Sequence, residues 1–129
     1  MGTELGILGL YGLLIVVVIM AQLLVAIPNL GLGYLLTARD EGRPVTGMAG
    51  RLDRALNNCV IGMALFAPAV LILSAKGLLP IPEALLAAQI FLIARVVYVV
   101  SYAFSIPLVR TLSWDVATLA TVYLYVLGL

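Results

Sequence analysis

Apolar residues fill most of this chain, and the few polar stretches between them set the element boundaries. Leu5 to Leu36 is an almost unbroken apolar run, interrupted by Gln22 and by Pro28 and Asn29. A membrane span needs about 20 residues. The run therefore predicts a first transmembrane helix over about 5–36, ending by Thr37 and bent near Pro28, where a backbone donor is missing. The segment Met1–Glu4 lacks a basic region, and the run exceeds a signal-peptide core, so cleavage is not expected. Residues 37–50 are the one long polar connection, with Arg39, Asp40, Glu41 and Arg43 among helix-breaking glycines and a proline. A second helix, opened by Arg51, is expected over about 52–75, followed by a tight turn from Lys76 to Pro82. A third helix over about 83–106 precedes a connection at Pro107–Ser113. The last helix, about 114–128, is short for a span.

Composition turns this pattern into a class. Of 129 residues, 64% are apolar and 10% charged, and the mean hydropathy is +1.22. A soluble domain is closer to half apolar and a quarter charged, and one this small has too much surface to hide the excess. A secreted disulfide scaffold, a disordered regulator and a soluble nucleotide-binding enzyme are excluded. The expected fold is an all-α integral membrane four-helix bundle forming one domain over residues 1–129. Seven basic and six acidic residues give a net charge of +1, with no basic stripe for nucleic acid. The chain has no histidine, so the usual general base and the commonest metal ligand are both missing, and no metal site is expected. Cys59 stands alone and reads as a small packing residue. Arg39, Arg43, Arg51, Arg54 and Arg110 flank the first and third connections, against only Lys76 on the other side. This bias places the first and third loops in the cytoplasm and both termini outside.

The informative residues are those that spanning alone would forbid. Arg51, Arg54 and Asn58 fall at i, i+3 and i+7, on one face of the second helix. Arg95, Tyr98 and Tyr102 repeat that spacing on the third, so two matched polar stripes suggest one shared site. Arg95 lies about 22 Å along the chain from Arg110 at helical rise, too deep for easy snorkelling. A central arginine costs from about 2.5 to over 10 kcal/mol. Asp53, Glu83 and Asp115 all sit near helix starts, so the arginines outnumber their acidic partners and the cavity suits an anionic ligand. Other readings remain open. Arg95 could bridge backbone carbonyls or an acid on another helix, Arg51 and Arg54 could face lipid headgroups, and Tyr98 and Tyr102 could pack between helices. Tyr123 and Tyr125 are expected in an interfacial aromatic belt. Gly6, Gly9 and Gly12 suggest a close helix contact.

The run Arg51-Leu-Asp-Arg-Ala-Leu-Asn-Asn-Cys59 resembles the RxxRAxxN motif of the MAPEG family, the membrane-associated proteins in eicosanoid and glutathione metabolism. Ala94-Arg-Val-Val-Tyr-Val-Val-Ser-Tyr102 resembles the second motif of that family, and Ile106-Pro-Leu-Val-Arg-Thr-Leu-Ser-Trp114 the segment that follows it. The likeness covers nearly the whole chain and is to a small, divergent, bacterial member, which implies an inner-membrane location. It implies a homotrimer with glutathione as co-substrate, bound between subunits near the cytoplasmic face and shared with membrane lipids and a lipophilic small-molecule substrate. On this resemblance Arg51 and Arg54 hold the glutathione carboxylates, and Asn58 bonds its peptide or glycyl end. Arg95, Tyr98 and Tyr102 line the same cleft, Arg39 adds a contact, and Arg110 lies near the thiol. Two positions depart from the family pattern. Ile61 stands where a glutamate usually receives the ligand's amino group, and Leu56 stands at a position that is polar in several members.

The implied activity is a glutathione-dependent transferase or peroxidase acting on a lipophilic electrophile, with Arg110 and Tyr102 as the catalytic pair. Arg110 would stabilise the thiolate, and Tyr102 or Tyr98 would donate to sulfur or to the leaving oxygen. The alternative is a non-enzymatic, anionic-lipid-binding or scaffold protein of the same fold, because an arginine-rich pocket without the glutamate also fits an acidic lipid, a fatty acid or another thiol. A proton-coupled exporter is disfavoured, since its first helix would need an embedded carboxylate and here offers only Glu4 and Gln22.

Overall fold

The computed structural model describes residues 3–31 and 47–129, and the side chains of residues 29 and 30 are not described. The described residues form four helices: α1 (Glu4–Leu30), α2 (Gly47–Ala75), α3 (Pro82–Ala103) and α4 (Pro107–Gly128). Thr3 caps α1, its hydroxyl accepting from the Gly6 N–H at 2.9 Å. The helix stops short of the expected 36. Pro28 lies within its last turn, and Gly31, at φ 89°, closes it with an N–H to the Ile27 carbonyl at 2.8 Å. Residues 32–46, and with them Arg39, lie outside the described residues.

The ends of α2 and α3 share one device. After α2, Gly77 donates to the Ser74 carbonyl and Leu78 to Leu73, both at 3.0 Å. After α3, Ser105 donates to Tyr102 at 3.2 Å and Ile106 to Ser101 at 2.8 Å. Both patterns are the Schellman motif, which needs a left-handed residue at its corner. Gly77 fills that corner at φ 69°, and Ser105 at φ 59°. This corner ends α3 at Ala103, before the expected 106. The connection expected at Pro107–Ser113 is instead the start of α4. Proline suits the first turn of a helix because its missing N–H has no partner there anyway, and the 22 residues of α4 reach about 33 Å.

Three helices, α1 to α3, are long and apolar enough to cross a membrane. The fourth is as long as α3 but carries Arg110 and Asp115 among several hydroxyl residues. The outward positions are themselves apolar. Leu13, Ile93 and Leu119 are 62%, 62% and 68% exposed, a surface that water would not tolerate but lipid or a neighbouring subunit would.

Both α2 and α3 touch each other and both remaining helices, whereas among the described residues α1 and α4 do not meet. The bundle is thus a rhombus with α2 and α3 on its short diagonal. Tyr11 of α1, Phe66 of α2 and Phe91 of α3 join there. Phe66 and Phe91 stack at 4.0 Å between centroids and 1° between planes, and Tyr11 meets Phe91 edge-on at 4.9 Å. Small residues, Ala84, Ala87, Ala88 and Ala94 on α3 with Ala117 and Ala120 on α4, are buried and let those two helices pack closely. Among the described residues, Gly9 and Gly12 show little of the close helix contact expected along α1. Nothing lies within 4 Å of a side chain built at Gly9, and only the Met63 methyl approaches Gly12.

At one end of the bundle Glu4, 2% exposed, accepts from the Ile81 N–H at 3.4 Å, and Lys76 donates to the Gly128 carbonyl. The opposite end holds Arg51, Arg54 and Arg110.

A left-handed conformation costs an ordinary residue about 1–2 kcal/mol, and a β-branched side chain suffers most. Ser105→Val should therefore lower thermal stability in detergent by about that amount, whereas Ser105→Gly should leave it unchanged or slightly raised. Equal behaviour of the two variants would refute the strained corner.

Candidate functional site

The polar stripes of α2 and α3 run antiparallel and meet rung by rung. Arg51 Nε donates to the Ala103 carbonyl at 2.9 Å, one of the carbonyls left free where α3 ends and where the helix dipole favours a cation. One turn deeper, Arg54 Nε donates to the Tyr102 hydroxyl at 3.1 Å. Deeper again, Arg95 Nη2 donates to Asn58 Oδ1 at 2.8 Å and to Cys59 Sγ at 3.4 Å. The i, i+3, i+7 spacing on both helices is what brings these pairs into register.

Tyr102 sits between two cations. Arg54 Cζ is 5.7 Å from its ring centroid and Arg110 Cζ 4.8 Å, both within cation–π range. Tyr98 packs 5.7 Å from Tyr102 and carries Arg95 Cζ over its own ring at 4.5 Å. Arg54 is exposed and Arg110 half-buried. Both guanidiniums thus lie at the end of the bundle, on either side of the Tyr102 ring.

Arg95 is 2% exposed. Among the described residues its partners are an amide, a thiol and a ring face, not the backbone carbonyls or the acid that the sequence left open. Its Nε–H has no acceptor among them. Tyr11, which the sequence reading passed over, closes the floor by donating to the Cys59 carbonyl at 2.6 Å. Gly62 makes room for it, because a methyl group there would lie 2.7 Å from the Tyr11 hydroxyl. Cys59 is fully buried, as a packing residue should be, but its sulfur also receives the Arg95 guanidinium.

Two spaces open from these residues. A vestibule of about 250 Å³ is lined by Asn58, Tyr98, Arg110, Thr111 and Trp114. A larger cavity of about 610 Å³ lies between α2, α3 and α4, with Arg95, Ile61, Leu65, Phe91 and Val122 on its walls. Asn58 and Trp114 line both, so the spaces adjoin. Trp114 could have been flagged one helical turn beyond Arg110, but Tyr11 gave no local signal. Tyr125, expected in an aromatic belt, is half-buried, and its hydroxyl donates to the Leu65 carbonyl at 2.6 Å.

Residues 5–129 match the model of the MAPEG family. No curated protein and no solved structure matches the chain.

Filling the notch at Gly62 should displace Tyr11. Gly62→Ala is expected to cost about 1–3 kcal/mol, as overpacking does, read from thermal unfolding in detergent. Removing the hydroxyl in Gly62→Ala/Tyr11→Phe should recover much of that loss. Strictly additive effects of the two changes would show that the contact is not made.

Proposed function

Because the chain belongs to the MAPEG family, we propose that it is a glutathione-dependent transferase or peroxidase acting on lipophilic electrophiles. The observation that carries this reading is the Arg54–Tyr102–Arg110 cluster, a cationic mouth adjoining an apolar cavity. Glutathione has two carboxylates, and guanidinium forks pair with them bidentately. Arg54 is exposed and Arg110 half-buried, so both are placed to meet such a ligand. Arg51 is held by the end of α3 and supports the site through that helix. Ile61 offers no charge to the amino group of glutathione, so binding rests on the ligand's anionic ends.

In this reading the thiol loses its proton to water, and the Arg110 guanidinium favours the resulting thiolate. Sulfur attacks an electrophilic carbon, the C–S bond forms, and the leaving group departs with its electron pair. In the peroxidase form sulfur attacks a peroxide oxygen and the O–O bond breaks. The Tyr102 hydroxyl, which accepts from Arg54, keeps its own proton to donate to sulfur or to the departing oxygen. No histidine is needed at any step.

The same reading extends to the assembly. The apolar outer faces of the helices suit a homotrimer in a bacterial inner membrane, with the arginine-bearing end and both of its loops in the cytoplasm and the termini outside.

Calorimetry in nanodiscs should give saturable glutathione binding, about tenfold or more weaker in Arg54→Ala. Arg110→Ala should abolish conjugation of an aryl halide while leaving subunit assembly intact by size-exclusion with light scattering. Unchanged turnover in Arg110→Ala would remove Arg110 from the chemistry. Absence of binding at millimolar glutathione would overturn the transfer reading.

A further inference from the structure

In the structure Asp115 does not stand at the helix start that the sequence predicts for it. Because α4 begins at Pro107, the residue lies two turns inside the helix, about 12 Å from its start. Arg95 lies equally far from the end of α3 at Ala103, so the two share one depth in the bundle. Ile93, Ala94 and Val97 of α3 line one groove with Ser113 and Val116 of α4, which gives the same level. Arg95 is buried there, whereas Asp115 is exposed.

A carboxylate at membrane depth is costly unless a cation or a polar cavity meets it. Aspartate also lacks the long stem with which lysine or arginine reaches the interface. Among the described residues Arg51 is engaged with the Ala103 carbonyl, Arg54 with Tyr102, and Arg95 with Asn58 and Cys59. A second copy related by an axis normal to the membrane would bring its residues to the same depths. Its Arg54 and Arg110 would then stand beside Tyr102 at the end of the bundle, and its Arg95 would be buried. The ammonium group of a bilayer lipid stays in the headgroup layer, outside the hydrocarbon core. A cation for Asp115 is therefore one that a smaller ligand carries in.

The neighbours of Asp115 describe that ligand. Thr111 and Thr118, at i−4 and i+3, share its face of α4, and they line the vestibule and the larger cavity respectively. Trp114 is exposed and lines both spaces, and an indole is the best aromatic partner for a cation. Leu112 and Leu119, at i−3 and i+4, are exposed and apolar. Carboxylate, indole and leucines together suit an ammonium group on an apolar body. We propose that Asp115 receives the ammonium group of an amphiphilic amine on this outer face of α4. In its consequence for substrates this rests on the transfer reading: the lipophilic electrophile is a cationic one.

Trp114, the only tryptophan of the chain, adjoins Asp115 and reports on it. N-Dodecylpyridinium titrated into the full chain in nanodiscs should quench Trp114 saturably, and uncharged dodecyl nicotinate should do so about tenfold more weakly. Asp115→Asn should weaken the pyridinium by about tenfold, and Asp115→Glu should restore most of its affinity. Equal quenching by the two compounds, equal quenching in Asp115→Asn, or no saturable quenching overturns the proposal. So does dissociation of the assembly in Asp115→Asn by light scattering, which would give the carboxylate to a neighbouring copy. Turnover separates the two readings. With glutathione, an aryl chloride bearing a trimethylammonium arm should show kcat/KM about tenfold above its neutral alkyl analogue, a preference that Asp115→Asn erases. Conjugation of both without preference overturns this proposal alone. Saturable, Asp115-dependent quenching with conjugation of neither overturns only the transfer reading.

Discussion

The cost of placing a guanidinium inside a membrane bundle governs how α2 and α3 must pack. A guanidinium carries five N–H donors and no acceptor, so the neighbours of Arg95 have to offer electron density. Asn58 supplies an amide oxygen, Cys59 a sulfur and Tyr98 the face of its ring. Two of these groups come from α2 and one from α3, so satisfying the arginine fixes the register of the two helices. That register then sets the outer rungs, Arg54 against Tyr102 and Arg51 against the end of α3.

The remaining helices take their places around this pair. Because α2 and α3 form the short diagonal, α1 closes one side through Tyr11 and its aromatic neighbours, and α4 closes the other through small residues of α3. The gap that α4 leaves against α2 and α3 is the large cavity. Its polar entrance and apolar depth follow from one gradient, in which charged residues gather at the end of the bundle and the interior becomes apolar. On the proposed reading the charged end meets the ionic groups of the ligand and the apolar depth meets its lipophilic partner.

Much of this was legible from local pattern. The helices follow from apolar runs, and the pairing of the two stripes follows from matched i, i+3, i+7 spacing, which survives folding because it is intrinsic to helical geometry. Boundaries were less legible. Prolines at 82 and 107 both open helices; the sequence places the first at the end of a turn just ahead of its helix but the second in a connection seven residues ahead of its own, because the Schellman corner at Ser105 carries no glycine to announce it. The position of Tyr125 near a helix end was legible, but that its hydroxyl meets a carbonyl on α2 depends on how α2 and α4 pack.

The sequence by itself determined that the chain is helical and membrane-embedded, belongs to its family by motif, and carries more deep positive charge than acid to match it. Those properties depend on composition and on separations of a few residues along one helix. Only the tertiary structure decided what Arg95 touches, that Tyr11 and Gly62 are complementary across 51 positions of sequence, and that the vestibule and the cavity adjoin. Such facts depend on the relative placement of different helices, and that placement comes from packing and from satisfying one buried charge, neither of which is written in the spacing of any single segment.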